Sequence, residues 1–463
     1  MFQMPNKSPK ILLFNPPIYD FAAYDFWIKP LGLLRVGGVL RKLGYQLSLV
    51  DCLDRHHPEF LQYTALPKAK IKSDGTGKFL RTEIQKPAVY KNIPRKYCRY
   101  GYPPDFVRQI LDDIPPPDVI LVTSIMTYWY PAVRDSVDIL REKFPGTPII
   151  LGGIYATLCP EHARTVIRPD HLVTGEGEVD AARLVAELTG GGGKNYHFDA
   201  FDDLPFSVYD LYPNLQSAAI TTSKGCPYNC SFCAVKILAP GYYRRSPENV
   251  LREIEYLHKE RGVVHFTFYD DALLHQAEKY IKPLLRGIIQ KGSRLQLHTP
   301  NGLHIKFIDE ELADLLYQAG GKTIRLSFES SDVDRQKAMF SKVSNADLEN
   351  ALRNLENAGY SRKEIGVYVL MGLPDQTIEE VQQSIRYVID LGAHVSVASF
   401  SPIPGTRDWE YLIAAGDWNA DYDLLLTNNT VFPIWAKKYG YSQCKALLQW
   451  AKEKNASLDE KNY

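Results

Sequence analysis

The sequence predicts an α/β protein with two sheet-based domains and a helical tail. In the first part of the chain, short apolar runs alternate with helical patterns, which is typical of a doubly wound parallel sheet. From about residue 216 the alternation begins again and gives six βα units, which favours a partial barrel. We therefore expect a first domain over 10–190, a linker over 191–215, a second domain over 216–410 and a helical extension over 411–463.

The first domain has short, fully apolar strand patterns, as expected for strands that are buried on both faces of a parallel sheet. The predicted strands cover residues 10–15, 46–50, 119–124, 148–151 and 171–174. Helices are predicted over 31–43 and 132–144. Residues 55–104 interrupt this rhythm, and an insertion of that length in a compact domain is usually functional or disordered. We interpret the insertion as a lid with solvated lysines. Its basic and aromatic run over 95–102 leaves RNA contact as an alternative.

Ligands of doubly wound sheets bind at the carboxyl ends of the strands. The residues predicted at those ends are Asn15, Ser124, Met126, Gly152, Gly153, Gly175 and Glu176. Small residues at these places leave room for a ligand, although a tight turn also explains paired glycines.

The second domain has a turn or a polar residue after most of its predicted strands. The strands are predicted over 218–222, 263–269, 295–299, 323–328, 364–370 and 394–400. The residues at their ends are Tyr269, Asp270, Asp271, Asn301, Ser327, Glu329, Gly372 and Pro402. Loop hydrogen bonds would explain Asp270 or Glu329 alone. Because the carboxyl ends of barrel strands carry the chemistry, the set together predicts a ligand site at that end.

Three cysteines follow the first strand of the second domain: Cys226, Cys230 and Cys233, with C-x3-C-x2-C spacing. Three thiolates on a compact loop suit an iron–sulfur cube whose fourth iron keeps an open position, and an open position distinguishes catalytic metal sites from closed structural ones. Two alternatives remain. A zinc site needs a fourth soft ligand nearby, and the next cysteine is Cys444. Three structural cysteines would be unusual in a loop that contains Gly, Pro and Asn.

With Phe232 directly before the third cysteine, this stretch resembles the signature of the radical S-adenosylmethionine (radical SAM) superfamily. The resemblance implies a 4Fe-4S cluster whose open iron chelates the amino and carboxylate groups of S-adenosylmethionine. Reduction then cleaves the cofactor to methionine and a deoxyadenosyl radical. Ser401-Pro-Ile-Pro-Gly-Thr406 also matches a usual family element.

The resemblance further implies contacts of the strand-end residues with S-adenosylmethionine. It assigns the methionyl ammonium group to Asp270 or Asp271, the ribose hydroxyls or the carboxylate to Ser327 and Glu329, and adenine to the turn at Gly372. The further contacts that it implies are Phe232, Tyr269, Asn301 and Pro402. It also implies a reducing partner such as flavodoxin or ferredoxin.

The first domain resembles the cobalamin-binding domain that precedes the radical SAM domain in a large class of these enzymes. The resemblance rests on Ser124-Ile-Met126, Gly152-Gly153 and Gly175-Glu-Gly-Glu178. The sequence departs from the family where a cobalt-ligating histidine is expected in an Asp-x-His-x-x-Gly run, since this place reads Pro16-Pro-Ile-Tyr-Asp20. Cobalamin would therefore lack a histidine from that motif. The alternative is a domain that has kept the fold and lost the cofactor.

The resemblance implies a radical SAM enzyme that uses cobalamin for methyl transfer or for rearrangement of an unknown substrate. One alternative is a methylthiotransferase-like enzyme acting on RNA or protein, with a second cluster on Cys52, Cys98 and Cys159, whose contexts do not match that family. Another is a non-catalytic corrinoid or S-adenosylmethionine binding protein, which the intact cysteine motif argues against.

Composition limits the partners and the compartment. Lys+Arg and Asp+Glu balance at 54 each, so the chain has no overall basic character for nucleic-acid binding. Seven cysteines are few for 463 residues, and the motif formed by three of them needs reduced thiols, so we expect the cytoplasm rather than a disulfide framework. The start has no secretory pattern, and no run reaches the roughly 18 apolar residues of a membrane helix.

Overall fold

The computed structural model describes residues 8–339 and 342–460. The chain divides into two compact units. The first contains the chain up to Ala218 together with residues 237–239 and 256–263, and the second contains 219–236, 240–255 and the chain from Val264 onward. Residues 191–215 therefore lie in the first unit.

The first series of elements builds a parallel sheet and a smaller antiparallel one. Its strands are β1 (Lys10–Asn15), β2 (Ile18–Asp20), β3 (Gln46–Asp51), β4 (Arg81–Glu83), β5 (Cys98–Tyr100), β6 (Val119–Val122), β7 (Ile149–Leu151) and β8 (His171–Leu172). Its helices are α1 (Leu31–Lys42), α2 (Pro58–Tyr63), α3 (Pro104–Asp112), α4 (Tyr130–Lys143), α5 (Ile154–Leu158), α6 (Pro160–His162) and α7 (Gly177–Thr189).

The five strands predicted for the first domain are all present and form one sheet in the order β3-β1-β6-β7-β8, with parallel pairs throughout. Strands β1 and β6 are almost wholly buried, as their apolar sequences require. The strand order reverses between β1 and β6, and ligands of doubly wound sheets bind at such a switch point. The predicted α/β fold with a doubly wound sheet is confirmed.

The insertion over 55–104 is an ordered part of the first unit. Strands β2, β5 and β4 pair as a three-stranded antiparallel sheet. Arg55 is buried, forms an ion pair with Asp25 at 2.6 Å and donates to the carbonyl of Lys70. A side chain at Gly77 would collide with the guanidinium group, 2.5 Å from the place of a Cβ. Charge and backbone contacts therefore hold this segment.

The second series of elements builds the barrel sheet. Its strands are β9 (Ser217–Ile220), β10 (Ser223–Lys224), β11 (Tyr243–Arg244), β12 (His265–Phe268), β13 (Gln296–His298), β14 (Leu303–His304), β15 (Gly321–Glu329), β16 (Ile365–Met371) and β17 (His394–Ser399). Its helices are α8 (Val235–Leu238), α9 (Pro247–Arg261), α10 (Ile281–Gln290), α11 (Glu310–Gln318), α12 (Val333–Ala338), α13 (Asn345–Asn357), α14 (Ile378–Asp390), α15 (Arg407–Ala414), α16 (Trp435–Tyr439) and α17 (Tyr441–Glu460).

The six strands predicted for the partial barrel appear in the order β9-β12-β13-β15-β16-β17, and β14 pairs with β15 outside this path. The pairs from β12 to β17 are parallel. Several helices begin at a side chain that accepts a backbone N–H, as in Asp309 before α11, Ser344 before α13 and Thr377 before α14. These caps fix where each strand-to-helix loop ends.

The last helix covers the final strand of the barrel sheet. Asn455 of α17 accepts the N–H of Val395 through Oδ1 and donates to its carbonyl through Nδ2, each at 2.9 Å. The side-chain amide thus supplies the pairing that a further strand would give to β17. The predicted helical extension is present. No helix in the described part of the chain is long and apolar enough to cross a membrane.

Candidate active site

The side chains of Cys226, Cys230 and Cys233 line one cavity of about 330 Å³ in the second unit, which we call the cluster cavity. The cysteines follow β9 directly, in a loop that is half-buried. Five of the residues predicted to bind S-adenosylmethionine line the same cavity: Phe232, Asp271, Asn301, Ser327 and Glu329. Side chains from three loops and from the end of β15 therefore meet beside the three thiols.

Burial raises the pKa of each of the three thiols, and the ammonium group of Lys342 acts on each in the opposite direction. A buried thiol becomes a thiolate readily only beside positive charge or a metal. The three side chains are therefore weak nucleophiles by themselves and suitable ligands for iron, whose charge favours the thiolate.

The grouping of possible ligand side chains bears on whether the thiols suit a cube or a single ion. Thiolates of a zinc site all lie about 2.3 Å from one metal. Within residues 8–339 and 342–460, no three His, Cys, Asp or Glu side chains gather closely enough to hold one metal ion. A cube needs no such convergence, because each cysteine binds a different iron. The donor set fits a 4Fe-4S cluster better than a zinc ion.

Asp270 is buried and does not line the cluster cavity. Its carboxylate accepts the backbone N–H of Thr222 at 2.9 and 3.0 Å, the hydroxyl of Thr222 at 2.7 Å and the hydroxyl of Ser223 at 2.6 Å. These bonds join the end of β12 to the end of β9, just before the cysteine loop. The carboxylate of Asp270 therefore stabilises the start of the cysteine loop.

Asp271, the next residue, faces the cavity. Burial, and secondarily the charge of Asp270, raises the pKa of its carboxyl to about 6. The residue is nevertheless exposed, so its carboxylate is ionised at neutral pH and open to a cationic or N–H-bearing ligand group.

Glu329 and Lys342 form an ion pair within the cavity wall, with Nζ and Oε1 3.1 Å apart and both side chains largely buried. Glu329 has a φ of +77°, an unusual conformation for a residue other than glycine, at the end of β15. Nearby, Gly302 has a φ of +81°, and a Cβ there would lie 2.4 Å from the hydroxyl of Ser327. Glycine thus lets the loop after β13 approach β15 closely.

Three further predicted contacts do not line the cavity: Tyr269, Gly372 and Pro402. The backbone N–H of Tyr269 donates to the carbonyl of Ile220, between β12 and β9. The N–H of Gly372 donates to the side-chain oxygen of Gln376, which holds the turn after β16. Pro402 lies in the loop after β17. Their proposed ligand roles stay predictions.

Sequence reasoning missed several residues of the cavity wall: Tyr228, His275, His304, Phe307 and Lys342. Only Tyr228 carried a signal, since it lies inside the cysteine loop. The others come from loops whose approach to the cysteines depends on the barrel closing, and no local pattern marks them.

Some of the predicted strand-end residues of the first unit are tightly packed or hydrogen-bonded, and others border free space. Asn15 donates to Asp51 at 2.6 Å, and Ser124 donates to the carbonyl of Gly152 at 2.8 Å. Gly153 has a φ of +96°, and a Cβ there would lie 2.2 Å from the carbonyl oxygen of Ser124, so its lack of a side chain is explained by close packing.

Three other predicted positions border free space or solvent. A Cβ on Gly152 would meet only the carbonyl oxygen of Val173 at 3.6 Å, and a Cβ on Gly175 would have nothing within 4 Å. Met126 is 41 % exposed. Glu176 directly precedes α7. This edge leaves room for a ligand beside β6 and β7.

The stretch after β1, where the cobalamin-binding family carries a cobalt-ligating histidine, contains a paired β-strand in this chain. Residues Ile18–Asp20 form β2 and pair with β5 of the insertion. Asp20 is buried and accepts the indole N–H of Trp129 at 2.8 Å. The three cysteines of the first unit, Cys52, Cys98 and Cys159, are all buried free thiols.

A partial barrel whose first strand leads into three cysteines around a polar cavity is the arrangement of an iron–sulfur enzyme with an open iron. Residues 220–388 match the family model described as the Radical SAM superfamily. An uncharacterized methyltransferase of Pyrococcus horikoshii is 27% identical over 363 residues, 71% of this chain and 76% of the relative. The cytidylyl-2-hydroxyethylphosphonate methyltransferase of Streptomyces wedmorensis is 24% identical, over 86% of this chain and 80% of the relative.

Among solved structures, the radical S-adenosylmethionine methyltransferase TsrM of Kitasatospora setae, described with cobalamin and a [4Fe-4S] cluster bound, superposes with a TM-score of 0.63. It is 17% identical in sequence, and the match covers 88% of this chain and 78% of that one. This likeness shows a shared fold. Residues 220–388 are a radical SAM domain, and the methyltransferase relatives indicate that the chain is an enzyme.

Proposed function

We propose that the chain is a cobalamin-dependent radical SAM methyltransferase. The observation that carries this proposal is the meeting of three cysteine thiols with Asp271, Asn301, Ser327 and Glu329 around one cavity. The methyltransferase names of the relatives and the cobalamin-bound neighbour with the same fold support the choice of reaction.

In this proposal, Cys226, Cys230 and Cys233 hold three irons of the cluster. Once bound, the cluster supplies the electron that cleaves S-adenosylmethionine, and cobalamin carries the methyl group. Asp271 accepts from the amino group of the methionyl moiety, because its carboxylate faces the cavity and is ionised at neutral pH. Ser327 and Glu329 offer hydroxyl and carboxylate oxygens to the polar atoms of the cofactor.

Cobalamin is proposed to bind at the strand ends of the first unit, where Gly152 and Gly175 leave space. Because β2 and its pairing with β5 take up the chain after β1, that stretch supplies no imidazole to cobalt. The alternative is a unit that has kept the sheet and lost the cofactor.

The enzyme also needs a one-electron donor, for which we propose a flavodoxin or a ferredoxin. All seven cysteines are free thiols in the described structure, which supports a reducing compartment. We therefore propose a cytoplasmic enzyme.

The test begins with protein purified without oxygen and supplied with iron, sulfide and hydroxocobalamin. The proposal expects about four irons and about one cobalt per chain, deoxyadenosine after reduction, and transfer of the label from S-adenosylmethionine with a deuterated methyl group. Iron near four without cobalt would favour the domain that has lost cobalamin. Iron near eight would favour the methylthiotransferase-like alternative.

A pair of glycine variants tests where cobalamin binds. Gly152→Leu should fill the open strand edge and lower cobalt content, while iron stays unchanged. Gly32→Leu is the matched control, because Gly32 lies on α1 and a Cβ there would have nothing within 4 Å. Equal cobalt in the two variants would place the cofactor elsewhere.

A further inference from the structure

A second cavity, of about 280 Å³, lies beside the cluster cavity in the second unit. The two cavities share wall residues, among them Tyr228, Cys230, His304 and Phe307. The second cavity additionally has Lys306 and Met339 in its wall. A molecule held there would lie within reach of the cluster loop.

His304 is the central residue of the shared wall. It is 9% exposed, and its ring lies between Tyr228 and Phe307, with centroid distances of 4.9 and 4.8 Å. Neither ring nitrogen has a hydrogen-bond partner among the described residues. Burying two unpaired nitrogens costs free energy, and a bound ligand would recover it.

The ring of His304 is neutral at physiological pH, because burial first, and then the charges of Lys342 and Lys306, lower its pKa to about 4. A neutral imidazole presents one N–H donor and one acceptor nitrogen. It can therefore donate to an oxygen of a ligand without adding a charge.

The charges around the second cavity have one sign. Lys306 and Lys342 line it, and no carboxylate occurs among the described residues of its wall. Lys342 already pairs with Glu329. Lys306 is exposed and has no carboxylate partner within the described ranges. Beside Asn229, Cys230 and His304, the rest of the wall is apolar or aromatic, from Tyr228, Phe307 and Met339.

We propose that the second cavity is the substrate subsite and takes a flat, aromatic organic anion. Aromatic rings of Tyr228 and Phe307 suit a planar group, which stacks in offset or edge-to-face geometry. The ammonium of Lys306 and the N–H of His304 meet the anionic oxygen. This inference rests on the proposed function in one respect: it takes the molecule bound in the second cavity to be the substrate that is methylated.

Binding of model anions tests the proposal without the true substrate. The full chain, with its cluster rebuilt and S-adenosylmethionine present, is titrated calorimetrically with 2-naphthoate and with its neutral analogue 2-naphthamide. We expect 2-naphthoate to bind with one site per chain, and 2-naphthamide to bind at least about tenfold more weakly, because it lacks the charge.

Three variants locate the site. His304→Phe and Lys306→Met should each weaken 2-naphthoate about tenfold or more. Lys306 does not line the cluster cavity, so Lys306→Met should leave the affinity for S-adenosylmethionine unchanged. Lys291→Met removes a lysine that pairs with Glu255 away from the cavity wall, and should leave both affinities unchanged. His304→Phe should also keep or raise the melting temperature, because it removes two unpaired buried nitrogens.

The proposal is overturned if 2-naphthoate does not bind, if the acid and the amide bind equally, or if both cavity variants bind it like the unaltered chain. These outcomes are separate from failure of the proposed function. A chain that holds no cobalt or transfers no methyl group can still bind 2-naphthoate, and a working methyltransferase can fail to bind it.

Discussion

The carboxylate of Asp270 accepts the backbone N–H of Thr222 at 2.9 Å and its hydroxyl at 2.7 Å. This contact ties the end of β12 to the end of β9, and the cysteine loop starts four residues after Thr222, at Cys226. The neighbouring Asp271 faces the cluster cavity. The two adjacent carboxylates thus have different surroundings. That of Asp270 is hydrogen-bonded to the residues just before the cysteine loop, and that of Asp271 is open to a ligand.

Replacing Asp270 should therefore damage the loop before it affects ligand binding. Asp270→Ala leaves the N–H of Thr222 and two hydroxyls without their acceptor and should lower the free energy of unfolding by about 3 kcal/mol. Iron content after reconstitution should fall with it. Asp271→Ala is the control, since it removes an exposed carboxylate and should leave stability nearly unchanged. Chemical denaturation measures both, and equal stability of the two variants would contradict the assignment.

Each cysteine of the loop should be necessary for the cluster. Cys226→Ala, Cys230→Ala and Cys233→Ala should each lose the visible absorbance, most of the iron and all deoxyadenosine formation, because two thiolates cannot hold the cube. Cys444→Ala is the matched control, a buried thiol on α17 outside the cavity wall. It should cost about 1 kcal/mol of stability and keep its iron. Unchanged iron in Cys230→Ala would refute the cluster assignment.

The affinity for S-adenosylmethionine should decrease as the pH falls through about 6. The pKa of Asp271 is raised to about 6 by burial, so its carboxylate is ionised above that pH and loses its charge below it. Between pH 7.5 and 5.5 the ionised fraction falls by about fourfold, and the dissociation constant should rise by about the same factor. Asp271→Asn should bind more weakly at pH 7.5 and show no such change. Parallel pH curves for the two proteins would exclude Asp271 from the contact.

The last helix should protect the edge of the barrel sheet. Asn455→Ala removes both hydrogen bonds to Val395 and should lower the free energy of unfolding by about 1–3 kcal/mol. Exchange of the Val395 amide hydrogen should become faster. Gln449→Ala, an exposed position on the same helix, should change neither quantity. Equal exchange rates in the two variants would mean that the edge is held by other contacts.

Much of the fold and the metal motif could be predicted from the sequence, because both depend on local patterns. Short apolar runs between helical stretches predicted the strands of both sheets. The spacing of Cys226, Cys230 and Cys233 is a property of one short loop, which the sequence contains entirely. The departure from the cobalamin-binding family, with Pro16-Pro17 at the start of the stretch where that family carries a histidine motif, could also be read directly from the sequence.

Only the tertiary structure decided which strand-end residues face the cavity. Asp270 and Asp271 are adjacent and chemically identical, and the positions of Thr222 and Ser223 beside Asp270 separate their roles. His304, Lys306 and Lys342 reach the cysteine loop because the barrel strands bring distant loops to one edge. Such contacts depend on long-range packing, and no pattern of neighbouring residues encodes them. The sequence by itself determined the elements and the three cysteines proposed to hold the cluster, whereas the pairing of distant strands in the sheet determined the walls of the site.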